Sequence, residues 1–350
     1  MLFNEADYDG YRQKLRDLNW DLGDKDINEQ IDHVTNNIFK AAEETIPNKT
    51  VTIRTRDLPW INNQIRKQIR QRNRLHNQAK RTNLSDHWKL FRETRNNVIL
   101  LIRNSKVNHY KKLASNLHQG NLSSKQWWKL AKQFLNCKSD SDIPILNHDN
   151  NQYTSPEDKA NIFNTFFTAQ SNVDDSHASL PPDQPTSFSL DSINISTEDV
   201  RDVLKLLDPG KACGPDLINP RLLKEGADIL SEKLCPIFNN SLSSSRFPDS
   251  WKLANVIPVF KKDDKTKVNN YRPISLLSCL GKVFEKCIFK HIFNFLIENQ
   301  ILTNLQSGFI PGDSAAFQLL DIYNTFTKAI DDGKEIRVIF CDISKAFDRV

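Results

Sequence analysis

Six consecutive residues, Ile336-Arg337-Val338-Ile339-Phe340-Cys341, lead almost without a polar break into a single carboxylate, Asp342. A half-exposed strand alternates polar and apolar side chains, so a run this apolar, β-branched and aromatic predicts a strand buried on both faces. Such a strand needs a paired neighbour, and without one it leaves an apolar edge that favours self-association. A carboxylate at its end costs on the order of several kcal/mol of desolvation unless a partner compensates, and a divalent cation is one such partner. The sequence continues for eight residues after Asp342, so further ligands for a cation there are expected from residues outside these 350.

The charge distribution adds a second constraint. The net charge of the 350 residues is only +5, yet sixteen Lys or Arg and three acids lie between Arg54 and Lys112, a local +13 that leaves −8 for the rest. Such asymmetry points to a polyanionic partner, nucleic acid or an anionic membrane surface. The length exceeds one typical domain, and 38% hydrophobic residues exclude a disordered or fibrous chain. The six cysteines form no C-x-x-C pair and no regular spacing, which indicates neither a zinc site nor a disulfide framework. Reduced thiols in nucleus or cytoplasm are expected, without secretion. The first residues lack the layout of a signal peptide, and the longest uncharged apolar run of the basic half, Val98 to Ile102, is far too short to span a membrane.

In chain order, Ile27, Ile31, Val34, Ile38 and Ala41 predict a helix that starts near Asp26 and is ended by Pro47. Pro59 is expected in the first turn of a second helix with Ile61, Ile65 and Ile69 in one stripe and Arg66, Arg70 and Arg74 on its flank. A third helix turns Leu84, Trp88, Phe91, Val98 and Ile102 inward and Lys89, Arg92, Arg95, Arg103 and Lys106 outward. Residues 59–118 therefore read as a basic helical hairpin. Like charges four residues apart repel, so an anion lying along Arg66, Arg70 and Arg74 relieves the arrangement. A membrane surface or an acidic helix-binding protein is the competing partner for such a face.

Ser155-Pro156-Glu157-Asp158 marks another helix start, with Ile162, Phe163, Phe166 and Phe167 on one face. Residues 171–190 have no period and read as linker. Ser196-x-x-Asp199 is a capping box, and Asn219-Pro220 starts a helix after the Lys211-to-Asp216 loop. Trp251 to Phe260 reads as a strand, paired through a basic turn with the segment from Asn270 to Ser275. Lys261, Lys262 and Arg272 then form a group of cations suited to a triphosphate. Leu280 to Leu296 has helical spacing, with His291 on the apolar stripe as a satisfied core or boundary histidine, and Ser314 caps a last helix through Lys328.

The order of these segments is more specific than any one of them. Lys211-x-x-Gly214-Pro215-Asp216, Pro258-Val259-Phe260-Lys261-Lys262, Asn270-Tyr271-Arg272-Pro273-Ile274-Ser275, Gln306-x-Gly308-Phe309 and Phe340-x-Asp342-x-x-Lys345-Ala346-Phe347-Asp348 together resemble the reverse transcriptase of non-LTR, jockey-like retrotransposons. The resemblance is strong over 200–350 and weaker over 50–170. It implies an α+β chain: a mostly helical basic region at 1–170, a linker at 171–195, and at 196–350 a right-hand polymerase truncated to its fingers and first palm strand. By the same resemblance Asp342 is the first catalytic aspartate and a magnesium ligand, and Ile343 adds a backbone carbonyl. Phe347 is the aromatic gate under the sugar, and Lys261 or Lys262 with Arg272 hold the incoming dNTP. Arg66, Arg70, Arg74, Arg92, Arg95 and Arg103 are the expected nucleic-acid contacts.

The family reaction copies an RNA template from a DNA primer with two Mg2+ ions about 4 Å apart, which one carboxylate cannot hold. The family's second carboxylate pair, in a Tyr-x-Asp-Asp hairpin, is not found in these 350 residues. The polypeptide by itself is therefore expected to be inactive. Ile310, Leu217 and Asp263 also depart from the family, which has Arg, Gly and Gly at those places. Two other functions fit the same residues: a non-catalytic RNA or DNA binder using the 54–112 helices, and a domesticated maturase-like protein.

Overall fold

The computed structural model describes residues 1–50, 58–117, 122–135, 143–172, 176, 179, 188–303, 305–342 and 346. Ile343, Phe347 and much of the 171–195 linker lie outside the described residues. In chain order the elements are α1 (Tyr8–Asp17), α2 (Ile27–Thr45), α3 (Asn63–Thr82), α4 (Ser85–Leu117), α5 (Ser124–Phe134), β1 (Leu146–His148) and β2 (Asn151–Tyr153). They continue with α6 (Pro156–Ser171), α7 (Thr197–Lys205), α8 (Pro220–Glu225), α9 (Ala227–Ser243), α10 (Asp249–Lys252), β3 (Ala254–Phe260), β4 (Tyr271–Leu277), α11 (Cys279–Glu298) and α12 (Ala315–Asp331). Helices dominate this α+β chain, and among the described residues its strands form two antiparallel two-stranded ribbons, β1–β2 and β3–β4.

Helix starts follow local chemistry. Asp26 caps α2 by accepting from the Glu29 backbone N–H at 2.9 Å, and the Glu29 carboxylate accepts from the Asp26 N–H at 3.1 Å. Ser155 caps α6 with Pro156 in its first turn, Ser196 and Asp199 form the capping box of α7, and Asn219 caps α8 ahead of Pro220. Pro59 is different. It stands in a turn before α3, which begins after Asn62, because the Asn62 side chain supplies the acceptor for the Ile65 N–H that a proline cannot.

The chain divides into two compact units, Met1–Lys49 with Pro144–Val350, and Thr50–Ile143. This division differs from the 1–170 and 196–350 boundaries that the resemblance implies. The reason is burial: Tyr11, Leu15, Ile31, Val34 and Ile38 of α1 and α2 enter the same core as Leu204, Leu222, Leu230, Phe238 and Phe284. Polar contacts accompany them. Tyr11 donates its hydroxyl proton to the Leu222 carbonyl at 3.3 Å, Arg12 pairs with Glu225 at 3.0 Å, and Asn28 brackets Asp249 at 3.0 and 2.8 Å.

Trp251, expected in a strand, sits instead in α10, 3% exposed among Phe238, Phe247 and Phe284 at 5.6–6.0 Å between ring centres. An indole that large contributes more as a core filler than on a largely exposed strand, so the strand starts three residues later. Burial pushes the thiols of Cys279 and Cys287 up, to about 11 and about 12, which marks them as inert packing groups.

Three further expectations are corrected. Residues 335–341 pair with no strand among the described residues, and Val338, Ile339 and Phe340 are 48, 87 and 93% exposed. Sequence pattern can mark a segment as suited to a sheet interior, but a strand exists only where a neighbour supplies the ladder. Leu84, expected inward, lies in the turn before α4 and is 56% exposed. His291 is not a satisfied histidine: its buried Nε2 has no hydrogen-bond partner among the described residues and lies 3.4 Å from Asp199 Oδ2.

Candidate functional site

The β3–β4 ribbon carries the cations read as triphosphate ligands. Its register runs from Ala254 opposite Leu277 to Phe260 opposite Tyr271, with Pro258 opposite Pro273. The Lys261 N–H donates to the Asn270 carbonyl at 2.9 Å, so every second pair from there is hydrogen-bonded and the Pro258–Pro273 pair falls on a position that needs no donor. Alternation places Lys261 on the face that Val259 shares with Arg272. Lys261, Lys262 and Arg272 are all exposed.

Residues 144–171, most of which the resemblance attached to the basic region, brace this ribbon. Leu146, Phe163, Phe167, Val268 and Tyr271 are buried, with Phe163 and Tyr271 edge to face at 4.9 Å. The Asn147 N–H donates to the Thr266 carbonyl at 2.8 Å, and the Tyr271 hydroxyl donates to the Lys265 carbonyl at 2.7 Å. Thr266 doubly bonds Asp264, holding that carboxyl below the usual range. The basic turn is thus held at its base by aromatic packing and along its length by hydrogen bonds. Helical spacing in α6 signalled Phe163 and Phe167 as inward, but not what they cover.

The Lys211-to-Asp216 loop fixes the other end of the ribbon. Asp216 Oδ2 accepts from the Ser278 hydroxyl at 2.6 Å, while Ser278 Oγ caps α11 by accepting from the Leu280 and Gly281 N–H groups at 3.1 and 3.3 Å. Gly214 approaches the Leu277–Ser278 peptide so closely that a Cβ would lie 2.5 Å from the Leu277 carbonyl carbon. Gly, Asp and Ser at these positions therefore join the loop, the end of β4 and the start of α11.

Asp342 is exposed, and among the described residues no group of three His, Cys, Asp or Glu is placed to hold a metal ion. The described donors near Asp342 therefore do not by themselves fit a divalent ion. Ile343 and Phe347 lie outside the described residues.

In the other unit, α3 and α4 form the expected hairpin. Asn83 takes a left-handed φ of 52° at the turn, and the Trp88 indole N–H donates to its Oδ1 at 3.2 Å. Ile65, Ala79, Val98 and Leu113 are buried, while His76 packs on Phe91 at 4.8 Å and on Trp88 at 6.0 Å. Arg70, Arg74, Arg92, Arg95 and Arg103 are exposed, and among the described residues none of these five meets a carboxylate. Arg66 is half-buried and donates to Asn63 Oδ1 at 3.2 Å. The hairpin thus displays cations that its own acids do not neutralise.

Residues 260–350 match the family model described as reverse transcriptase (RNA-dependent DNA polymerase). By this match the segment is similar to the reverse transcriptases. It starts at Phe260, takes in Lys261, Lys262 and Arg272, and includes Asp342. The chain is 31% identical over 169 residues to the RNA-directed DNA polymerase from mobile element jockey of Drosophila melanogaster, covering 48% of this chain and 18% of that protein. The probable RNA-directed DNA polymerase from transposon BS of the same species is 32% identical over 167 residues, 47% of this chain and 18% of its own length. The jockey polymerase of Drosophila funebris aligns over 339 residues at 24% identity, which is 94% of this chain and 37% of that relative. The chain thus spans under half the length of these relatives, and its similarity to the Drosophila funebris jockey polymerase extends into the basic helices.

Proposed function

We propose that this chain serves RNA-directed DNA synthesis in a non-LTR retrotransposon, as part of a right-hand polymerase. The reverse transcriptase match over residues 260–350, beginning at the cationic ribbon, is the observation that carries this reading. In it, Lys261, Lys262 and Arg272 hold the triphosphate of the incoming dNTP, Arg through paired planar donors and Lys as mobile point charges. Asp342 contributes one ligand, and Ile343 a backbone carbonyl, to a site for Mg2+, which would supply charge neutralisation at the transferring phosphoryl group. Phe347 gates the sugar. The exposed arginines of α3 and α4 bind the RNA template and DNA primer.

A test uses a photoreactive dNTP analogue. Crosslinking to the 260–272 segment should be competed by pyrophosphate and lost in the combined K261Q, K262Q and R272Q variant; unchanged labelling would refute the assignment. Because the 350 residues hold no Tyr-x-Asp-Asp sequence, the polypeptide alone should extend no primer in the presence of Mg2+.

A second reading, a non-catalytic RNA or DNA binder, is favoured by the five arginines that meet no carboxylate among the described residues. It is separated from the first by the crosslinking result, since a binder of this kind has no use for a triphosphate at the ribbon.

A further inference from the structure

The arginines of α3 and α4 account for attraction to phosphates but not for another surface of the same unit. On α5, Trp127 and Trp128 are 43 and 58% exposed, with their rings perpendicular at 4.9 Å between centres. Such a contact leaves each indole at least one open face. The helix that presents them is well defined. Ser123 caps it by accepting from the Gln126 N–H at 3.3 Å, and Gln126 Oε1 accepts in return from the Ser123 N–H at 3.0 Å. Phe134 then holds its far end against Tyr110 of α4 at 5.6 Å. Leu130 and Ala131 are half-buried.

Around the indoles the helix contains three lysines and no acid. Lys129 and Lys132 are exposed, and Lys132 stands one turn from Trp128. We infer that Trp127 and Trp128 form a stacking site for the unpaired bases of single-stranded nucleic acid, with Lys129 and Lys132 taking its phosphates. Open indole faces beside cations are the combination that base stacking and backbone neutralisation require. Near the indoles Leu130 and Ala131 are half-buried while Phe134 and Leu135 are 41 and 69% exposed, so a lipid surface is the rival occupant that the vesicles below test. A duplex hides its base faces and cannot use the site, so the platform supplies a selectivity for single strands that charge alone does not provide.

This inference rests on the nucleic-acid reading of the basic helices, and the experiment separates the two. The full 350-residue chain is titrated into fluorescein-labelled rU20, a 20-base-pair RNA duplex, and vesicles of phosphatidylcholine and phosphatidylserine, across a salt series. Trp127→Ala and Trp128→Ala should each weaken rU20 binding about tenfold while leaving its salt slope and duplex binding unchanged. Trp127→Phe and Trp128→Phe should retain most of the affinity, which separates stacking from folding. The K129Q and K132Q variants should flatten the slope by about 0.7 each. If the alanine variants bind rU20 like the parent while R70Q with R74Q does not, the platform is refuted and the basic-helix reading stands. If the parent binds no nucleic acid, both fall. If the alanine variants lose vesicle binding but not rU20 binding, the site is a lipid contact and the inference is overturned.

Discussion

Leu217 adopts φ +56° and Asp263 φ +70°, left-handed conformations that an L side chain holds at a cost of roughly 1–2 kcal/mol. Both stand where the resemblance expects glycine, so the backbone keeps a shape that the present side chains resist. Leu217 follows the loop that Gly214 brings against the β4–α11 junction, and there the opposite substitution is informative. Gly214→Ala should lower unfolding stability by about 1–3 kcal/mol in urea titrations, because the new Cβ meets backbone that cannot move aside. A loss below a few tenths would contradict the close approach. Asp199 supplies a pH dependence. Burial alone would raise its carboxyl, but Lys290 at 2.6 Å and the Ser196 hydroxyl and N–H hold it well below the usual range. A carboxyl depressed on folding stabilises above its unfolded value, about 3.9, and that contribution is lost as pH falls from there. The parent should therefore lose stability between about pH 5 and pH 2, and Asp199→Asn should show a shallower slope over the same window. Parallel profiles for the two proteins would show that the Lys290 pair does not act in this way.

At the scale of elements, the α3–α4 hairpin and the β3–β4 ribbon differ in how they present charge. The hairpin spreads exposed arginines along two long helices, which suits an extended polyanion. The ribbon gathers Lys261 and Arg272 on one face beside a braced turn, which suits a compact one. Neutralising Arg70 and Arg74 to Gln should reduce the dependence of duplex binding on log salt by about 0.9 per residue while leaving thermal stability unchanged. An unaltered slope would remove these two residues from the interface. The hairpin's period and charge pattern were legible from spacing, since both follow from the 3.6-residue repeat. Its aromatic contacts, such as His76 on Phe91, were not, because they join residues on different helices.

For the whole molecule, the first 49 residues are the largest revision. Among the described residues they supply nine of the twenty-seven buried side chains of the core that also holds Ile195 to Cys287. At about 1.5–3 kcal/mol per large buried side chain, that burial is comparable with the entire stability of a domain. Deleting residues 1–49 should therefore abolish cooperative thermal unfolding of the 195–287 core, as followed by near-UV circular dichroism; a melt within a few degrees of the parent would contradict this. At the other end of the chain α12 has no buried residue, and Phe317, Leu319, Leu320 and Tyr323 are all more than 60% exposed. With the exposed 338–340 run, this predicts binding of a hydrophobic dye in native buffer and concentration-dependent self-association by size-exclusion chromatography. A monodisperse monomer that ignores the dye would count against it.

The sequence by itself determined what depends on neighbours a few residues apart: the caps at Asp26, Ser155, Ser196 and Asn219, the basic hairpin, and the ordered motifs from Lys211 to Asp342. Each is set by a hydrogen bond or a periodicity within one or two turns of chain. Only the tertiary structure decided that α1 and α2 belong with α7 to α11, that residues 144–171 brace the cationic ribbon, and that Trp251 leaves the strand for the core. An apolar stripe specifies that a face must be covered, not which distant face covers it. For the same reason, the run from Ile336 to Cys341 has the composition of a buried strand but, among the described residues, no pairing and, beyond the half-buried Ile336, no cover.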